Sequence, residues 1–243
     1  MKLVSLVPAA PEVELASFEQ LRSHFASQNW NAPSFLLNIV SDSEGNFVGA
    51  TGSSRDISNE ADYQALIGYR MAADGILTTA KTARAEAYRR SRFAPLALIS
   101  KSGDFSGIPA VELEAAGPVE SKVFLLVRRG LVRTTAKRYN LPWVQVCSVG
   151  RGSSFGLSFR LTRLGWRRIL VEAGPSFANW LLANHLIRGL ALSIVGSNES
   201  NPLLASKPAL DNLGVTGASL ESAQVVDGTF FTRWTEISAT TRS

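Results

Sequence analysis

Four stretches of this 243-residue chain gather the residue types that chemistry on a phosphorylated small molecule requires. The segment Thr78-Thr79-Ala80-Lys81-Thr82-Ala83-Arg84-Ala85-Glu86 follows an apolar run that begins at Gly75. Small hydroxyl residues let a phosphate approach the backbone closely, and Lys81 and Arg84 can neutralise its charge. The segment Ile169-Leu170-Val171-Glu172-Ala173-Gly174-Pro175-Ser176 reads as a buried strand running into a glycine turn and a helix start. Helix-terminal N–H groups receive dinucleotide phosphates in that context, although the glycines do not form the G-x-G-x-x-G pattern. At Ser100-Lys101-Ser102-Gly103, hydroxyls and an amine follow another apolar run and can hold a ribose 2′-phosphate. Near the start, Asn38, Ser41, Asp42 and Glu44 lead to Gly45, and the two carboxylates can orient a substrate or relay a proton. Each stretch also has a plainer reading: a solvated loop with chance basic residues, a Gly-Pro connection, a strand-ending turn, and an Asp-Ser-Glu-Gly turn.

Such stretches need a scaffold that brings strand ends together. From Ser34 onward, short apolar runs alternate with helical periods, the signature of an α/β sheet protein. The predicted strands are Phe35 to Val40, Gly75 to Thr79, Leu96 to Ser100, Lys122 to Val127, Trp143 to Val149, Arg168 to Glu172 and Gly189 to Val195. In an open sheet of this kind, ligands collect beyond the carboxyl ends of the strands. Between the first two strands, Tyr63, Leu66, Ile67 and Arg70 recur at helical spacing, with Ser58 as the expected N-cap and Glu60 and Asp62 in the first turn. Ser176 is the expected cap of a second helix with Phe177, Trp180, Leu181 and Leu186 on its buried face. Ser219 to Val226 and Thr229 to Ile237 flank Asp227-Gly228, a type I′ hairpin signal. The expected fold is thus α/β, a mostly parallel central sheet closed by a C-terminal antiparallel hairpin. Residues 1–33 contain Pro8, Pro11, a helical stretch from Phe18 to Phe25 and a polar Asn-Trp-Asn-Ala-Pro break, and read as an N-terminal arm. Residues 34–243 form the main domain.

Composition narrows the function classes. Hydrophobic residues make up 45% and charged residues 19%, a normal globular balance. Apolar runs such as Gly189 to Gly196 stop short of the ~18 residues that span a bilayer, and no signal peptide is recognised at Met1, so a cytoplasmic address is expected. Cys147 is the only cysteine, and His24 and His185 have no ligand spacing around them, which argues against a zinc enzyme and a cysteine-histidine hydrolase. No metal is expected. The net charge of +5 implies attraction to anions. The densest basic clusters are short: Arg89, Arg90 and Arg92, then Arg128, Arg129 and Arg133, then Arg167 and Arg168. A phosphorylated small molecule explains them at least as well as a nucleic acid, which more often meets a long basic stripe with stacking aromatics.

Read in order, four motifs carry a family resemblance. Ser43-Glu44-Gly45 approximates a Ser-x-Asp-Gly turn, and Ile57-Ser58 precedes a helix as an Ile-Ser or Leu-Ser pair. Thr79-Ala80-Lys81-Thr82-Ala83-Arg84-Ala85-Glu86 stands for Gly-x-Gly-Thr-x-Arg-Ala-Glu, and Val171-Glu172-Ala173-Gly174-Pro175-Ser176 for Val-Glu-Gly-Gly-Pro-Ser. From about Asn38 to Ile237 the chain resembles the reductase domain of the bifunctional riboflavin-biosynthesis deaminase-reductase and the stand-alone actinobacterial pyrimidine reductases.

The resemblance implies a dihydrofolate-reductase-like three-layer sandwich, NADPH as cofactor and a homodimer. It further implies hydride delivery to the ribosyl C1′ of a ribosylaminopyrimidine 5′-phosphate, with no nucleic-acid or membrane partner. On that reading Thr79, Lys81, Thr82, Glu172, Ala173, Gly174 and Ser176 contact the cofactor, with Ser100 and Lys101 near its 2′-phosphate. Asn38, Ser58, Arg84 and Glu86 face the substrate, and Glu44 and Ser41 are the catalytic pair. The chain departs from the family where Thr79, Lys81 and Ala173 replace glycines, where Arg188-Gly189 replaces an acidic pair, and where Glu44 replaces a shorter Asp. Those departures keep two alternatives open: a family member without catalysis that serves as a binding or partner protein, and a reductase of another carbonyl or imine substrate.

Overall fold

The computed structural model describes residues 1–28, 30, 34–113 and 121–239. Along the chain the strands are β1 (Lys2–Val7), β2 (Ala9–Glu14), β3 (Ser34–Asp42), β4 (Gly75–Thr79), β5 (Leu96–Ile99), β6 (Val123–Val127), β7 (Val144–Ser148), β8 (Arg168–Val171), β9 (Ile187–Val195), β10 (Val215–Val226) and β11 (Thr229–Ala239). The helices are α1 (Phe18–Ser27), α2 (Glu60–Ala72), α3 (Ala80–Ala85), α4 (Pro109–Glu112), α5 (Val132–Arg138), α6 (Ser154–Arg163), α7 (Pro175–Ala183) and α8 (Pro202–Asn212). None of the described helices is long and apolar enough to cross a membrane.

The chain forms two compact units, one of Met1–Ala72 with Ala173–Ser243 and one of Ala73–Glu172. In the second unit the strand order is β8-β4-β5-β6-β7 and every pairing is parallel. A parallel strand covered on both faces needs apolar side chains at successive positions, and β6, Val-Phe-Leu-Leu-Val, is buried at all five. Because these strands run the same way, all their carboxyl ends and following loops lie along one end of the unit. In the first unit the order is β2-β1-β10-β11-β9-β3, antiparallel except for the parallel β3–β9 pair. The fold is therefore α/β, mostly parallel, and closes with the β10–β11 hairpin. Asp227 and Gly228 take φ of +46° and +75°, as a type I′ turn requires.

The predicted strands from β3 to β9 fall within two residues of the observed ones. Residues expected to form an arm add β1, β2 and α1 to the first unit. β1 pairs with both β10 and β2, and Phe25 of α1 packs 4.9 Å from Phe231 and 5.4 Å from Tyr69. Pro8 lies in the turn between β1 and β2, and Pro11 on β2, an edge strand exposed throughout, where a missing N–H is tolerated. The polar break at residues 29–33 lies, apart from Trp30, outside the described residues.

Two expected caps are corrected. Asn59, not Ser58, precedes α2, and its Oδ1 accepts from the N–H of Asp62 at 3.0 Å, while Ser58 Oγ donates to the Asp62 carboxylate at 2.6 Å. Helix α7 starts from Gly174 with Pro175 in its first turn, so Ser176 is already inside it. Of the α2 residues at helical spacing, Ile67 is buried and Tyr63 exposed, and Tyr69 packs into the core.

Candidate functional site

In the second unit, β4 and β8 lie side by side with Leu77 opposite Val171, and the N–H of Glu172 donates to Leu77 O at 2.9 Å. The two predicted phosphate segments therefore begin next to each other, at Thr79 and Glu172. Thr79 caps α3: its Oγ1 accepts from the N–H of Thr82 at 3.0 Å and lies 2.9 Å from Thr82 Oγ1. Lys81, between them, is exposed. Glu172 is only 5% exposed, and its carboxyl accepts a 2.6 Å hydrogen bond from Tyr88 Oη. The adjacent Ala173, Gly174 and Ser176 belong to the first unit, where they open α7.

One strand further on, the Ser100 hydroxyl is occupied by its own turn. It accepts from the N–H of Gly103 at 3.1 Å and lies 3.2 Å from Ser102 Oγ, while the Ser100 N–H donates to Leu126 O. Lys101 stays exposed at the tip, and its carbonyl accepts from Arg128 Nη2 at 3.4 Å. Arg84 Nε donates to Ser106 O at 2.8 Å and Nη2 lies 3.6 Å from Asp104 Oδ2, which ties the 104–106 loop to α3. Hydrogen bonds from Ser106 and Tyr139, with the Arg138 guanidinium 3.4 Å away, hold the Asp104 carboxyl below the usual carboxylate range. Glu86 is half-buried at the end of α3.

In the first unit β3 carries Asn38, half-buried, and Ser41, fully buried, whose Oγ donates to Asp42 O at 2.8 Å. Asp42 organises the turn that follows. Its carboxylate accepts from the N–H of Glu44 at 3.0 Å and from the N–H and Nδ2 of Asn46 at 2.8 and 2.9 Å. Partial burial alone raises its pKa, but these hydrogen bonds outweigh it and keep the group below the usual range. Glu44 therefore presents the exposed carboxylate of the pair. Gly45 sits at φ +88° against α8, where a Cβ would lie 2.7 Å from the Pro208 backbone, and its carbonyl accepts from Asn212 Nδ2 at 3.0 Å. Ser58, read as facing a substrate, is half-buried and bonded to Asp62.

The second unit carries seventeen Lys and Arg against seven Asp and Glu, a net charge of +10, so the remainder of the chain, at a total of +5, is net negative. At the carboxyl ends of its strands, Lys81, Lys101, Arg128, Arg129 and Arg151 pair with no carboxylate among the described residues. A donor set of this kind fits a polyanion such as a dinucleotide phosphate. The residues Lys81 and Lys101 stand here as their positions after apolar runs imply, whereas Arg128 and Arg129 show in the sequence only as a basic cluster. The available signal was position, since Arg128 directly follows the buried Val123–Val127 run and Arg151 lies just past β7. Tyr88 carried no signal, because its partner is 84 residues away.

No family model and no curated protein sequence matches the chain. Solved structures do. A pyrimidine reductase-like protein of Corynebacterium diphtheriae aligns over 84% of this chain and 92% of its own, with TM-score 0.61 and 18% identity. The deaminase/reductase of Thermotoga maritima aligns over 84% of this chain with TM-score 0.60 and 15% identity, and the chain spans 56% of that longer protein. The riboflavin biosynthesis reductase of Saccharomyces cerevisiae aligns over 91% of this chain and 98% of its own, with TM-score 0.56 and 15% identity. In agreement with the resemblance carried by its motifs, the chain has the fold of the riboflavin-biosynthesis pyrimidine reductases.

Proposed function

We propose that the chain uses NADPH to reduce a ribosylaminopyrimidine 5′-phosphate at its ribosyl C1′, as a homodimer in riboflavin biosynthesis. The observation that carries this reading is the row of cations without carboxylate partners along the strand ends of a unit with net charge +10. When bound, the nicotinamide supplies the hydride; the protein is a positioning device around it.

Each element then has a part. The Thr79–Thr82 cap fixes the backbone entering α3, and Lys81 supplies charge to a diphosphate without covering that backbone. Glu172, anchored by Tyr88 and Leu77, offers its position at the end of β8 to the nicotinamide half, with Ala173, Gly174 and Ser176 following it into α7. The Ser100 turn holds Lys101 outward toward the 2′-phosphate. On the substrate side, Ser41 and Asp42 hold the turn that presents Glu44, the group suited to handling a proton, and Asn38 and Ser58 belong to the same unit.

The test is a titration of the purified chain with NADPH and NADH, followed by nicotinamide fluorescence. A saturable NADPH signal, tighter than that of NADH, is expected. Absence of saturation on the order of hundreds of micromolar, the upper part of the usual range for enzyme substrates, overturns the reading.

A further inference from the structure

Helix α6 turns an aromatic ridge outward. Phe155 is 77% exposed and Phe159 54% exposed, and their rings stack one turn apart, with 6.1 Å between centroids and 20° between planes. The cause lies in how the helix is seated. Leu157 and Leu161 are buried, which commits their face to the core and, at the helical period, leaves Phe155, Phe159, Thr162 and Arg163 on the opposite face. The seat is tight: a Cβ on Gly156 would stand 2.4 Å from Val149 O, and Arg160 Nε donates to Ser148 O at 2.9 Å. The helix cannot roll to bury its two phenyl rings without unseating its leucines.

The ridge stands in an acid-free part of the chain. From Ser121 to Val171 there are eleven Lys and Arg and no Asp or Glu. Arg163 at the end of α6 and Arg167 just beyond it are exposed, and neither pairs with a carboxylate among the described residues. Ahead of these arginines the outward face carries the two phenyl rings and Thr162, whose hydroxyl already donates to Ser158 O at 3.0 Å. The centre of the ridge therefore loses water cheaply, while its cations stand at the end.

A single-stranded nucleic acid stacks bases on open ring faces along a basic groove, whereas here the two rings face each other and no cation is interleaved with them. A protein partner has to supply a pocket shaped to both rings. An anionic bilayer needs neither: aromatic side chains of a basic amphipathic helix sink into the boundary between headgroups and acyl chains, and arginines reach back to the phosphates. The geometry points to α6 as a peripheral docking element for an anionic phospholipid bilayer, with Phe155 and Phe159 inserted and Arg163 and Arg167 on the headgroups. The family resemblance implies no membrane partner, so this docking is carried by the chain's own residues and is independent of the reductase reading.

The experiment is co-sedimentation of the full chain with phosphatidylcholine vesicles and with vesicles in which about a third of the lipid is phosphatidylglycerol. It is repeated on the double variants Phe155→Ser with Phe159→Ser and Arg163→Gln with Arg167→Gln. All four side chains are exposed, so the variants keep the fold, which thermal melting verifies. The native chain binds the anionic vesicles at least about tenfold more tightly than the neutral ones, and each double variant weakens that binding by about tenfold or more. Absence of vesicle binding overturns the assignment, and so does binding that the phenylalanine variant retains, since that is adsorption by charge alone. Phenylalanine-dependent self-association in sedimentation velocity, or phenylalanine-dependent retention of a single-stranded RNA oligonucleotide, with no binding to vesicles, also overturns it and gives the ridge to a second copy or to a nucleic acid.

Discussion

Tyr88 Oη donates a 2.6 Å hydrogen bond to Glu172 Oε2, so the segment after α3 grips the residue that ends β8. Tyr88 is itself fixed, since its N–H donates to Ala83 O at 2.8 Å and its carbonyl accepts from Ala110 N at 2.7 Å. With the Glu172 N–H bonded to Leu77 O, the ends of β4 and β8 and helix α3 close into a rigid frame around the proposed cofactor end. Removing the hydroxyl in Tyr88→Phe is expected to cost about 1 to 3 kcal/mol, the usual loss for a buried carboxyl deprived of a donor. Urea unfolding measures it, and NADPH affinity falls in parallel. A variant with native midpoint and native affinity would show that the contact does not organise the site.

The turn that presents Glu44 depends on Gly45. Gly45 and Gly52 both have positive φ, +88° and +80°, but a Cβ at Gly45 would meet the Pro208 backbone at 2.7 Å, whereas at Gly52 nothing lies within 4 Å. Backbone strain alone costs about 1 to 2 kcal/mol. Gly52→Ala is therefore expected to lose about that much, and Gly45→Ala clearly more, because α8 has to move away or the turn has to refold. Equal unfolding midpoints for the two variants would contradict a close fit of the turn against α8.

The strands of the second unit were legible because burial on both faces writes continuous apolar runs, as in Val123–Val127. Thr79, Lys101 and Glu172 followed as the residues next to those runs. What sequence could not show were contacts made by the fold: Tyr88 on Glu172, Arg128 beside Lys101, and the β1–β10 pairing. Asp62 shows the same limit in energetic form. Its position in the first turn of a helix says nothing of burial, yet packing leaves it 6% exposed.

Burial raises the Asp62 carboxyl above its ordinary 3.8, while hydrogen bonds from Ser58 and Ser193 pull it back only in part. The native state thus binds this proton more tightly than the unfolded chain does. Linkage then requires the Asp62 contribution to stability to be full below 3.8 and to be lost as pH rises toward the elevated native value. Asp62→Asn carries no ionisation, so its stability relative to the native chain should improve between about pH 4 and pH 7. Other carboxylates cancel in the difference. Paired urea titrations at the two pH values check this, and a difference that does not change with pH would mean that Asp62 titrates as a solvated group.

Charge without carboxylate partners along the strand ends carries a last prediction, made at Lys81. Lys81 follows the Thr79 cap, is exposed and pairs with no acid among the described residues. If it neutralises the diphosphate common to both dinucleotides, Lys81→Ala weakens NADPH and NADH by a similar factor, about twofold to fivefold for one exposed charge. The 2′-phosphate adds charge that only NADPH carries, so NADPH affinity should decline with salt more steeply than NADH affinity as the Debye length shrinks from about 10 Å at 0.1 M to about 3 Å at 1 M. Measuring both dissociation constants across that range, in the native chain and in Lys81→Ala, tests the two contributions together. Parallel salt dependence for the two cofactors would place the 2′-phosphate away from the basic strand ends, and a Lys81→Ala effect confined to NADPH would move the lysine from the diphosphate to the adenosine end.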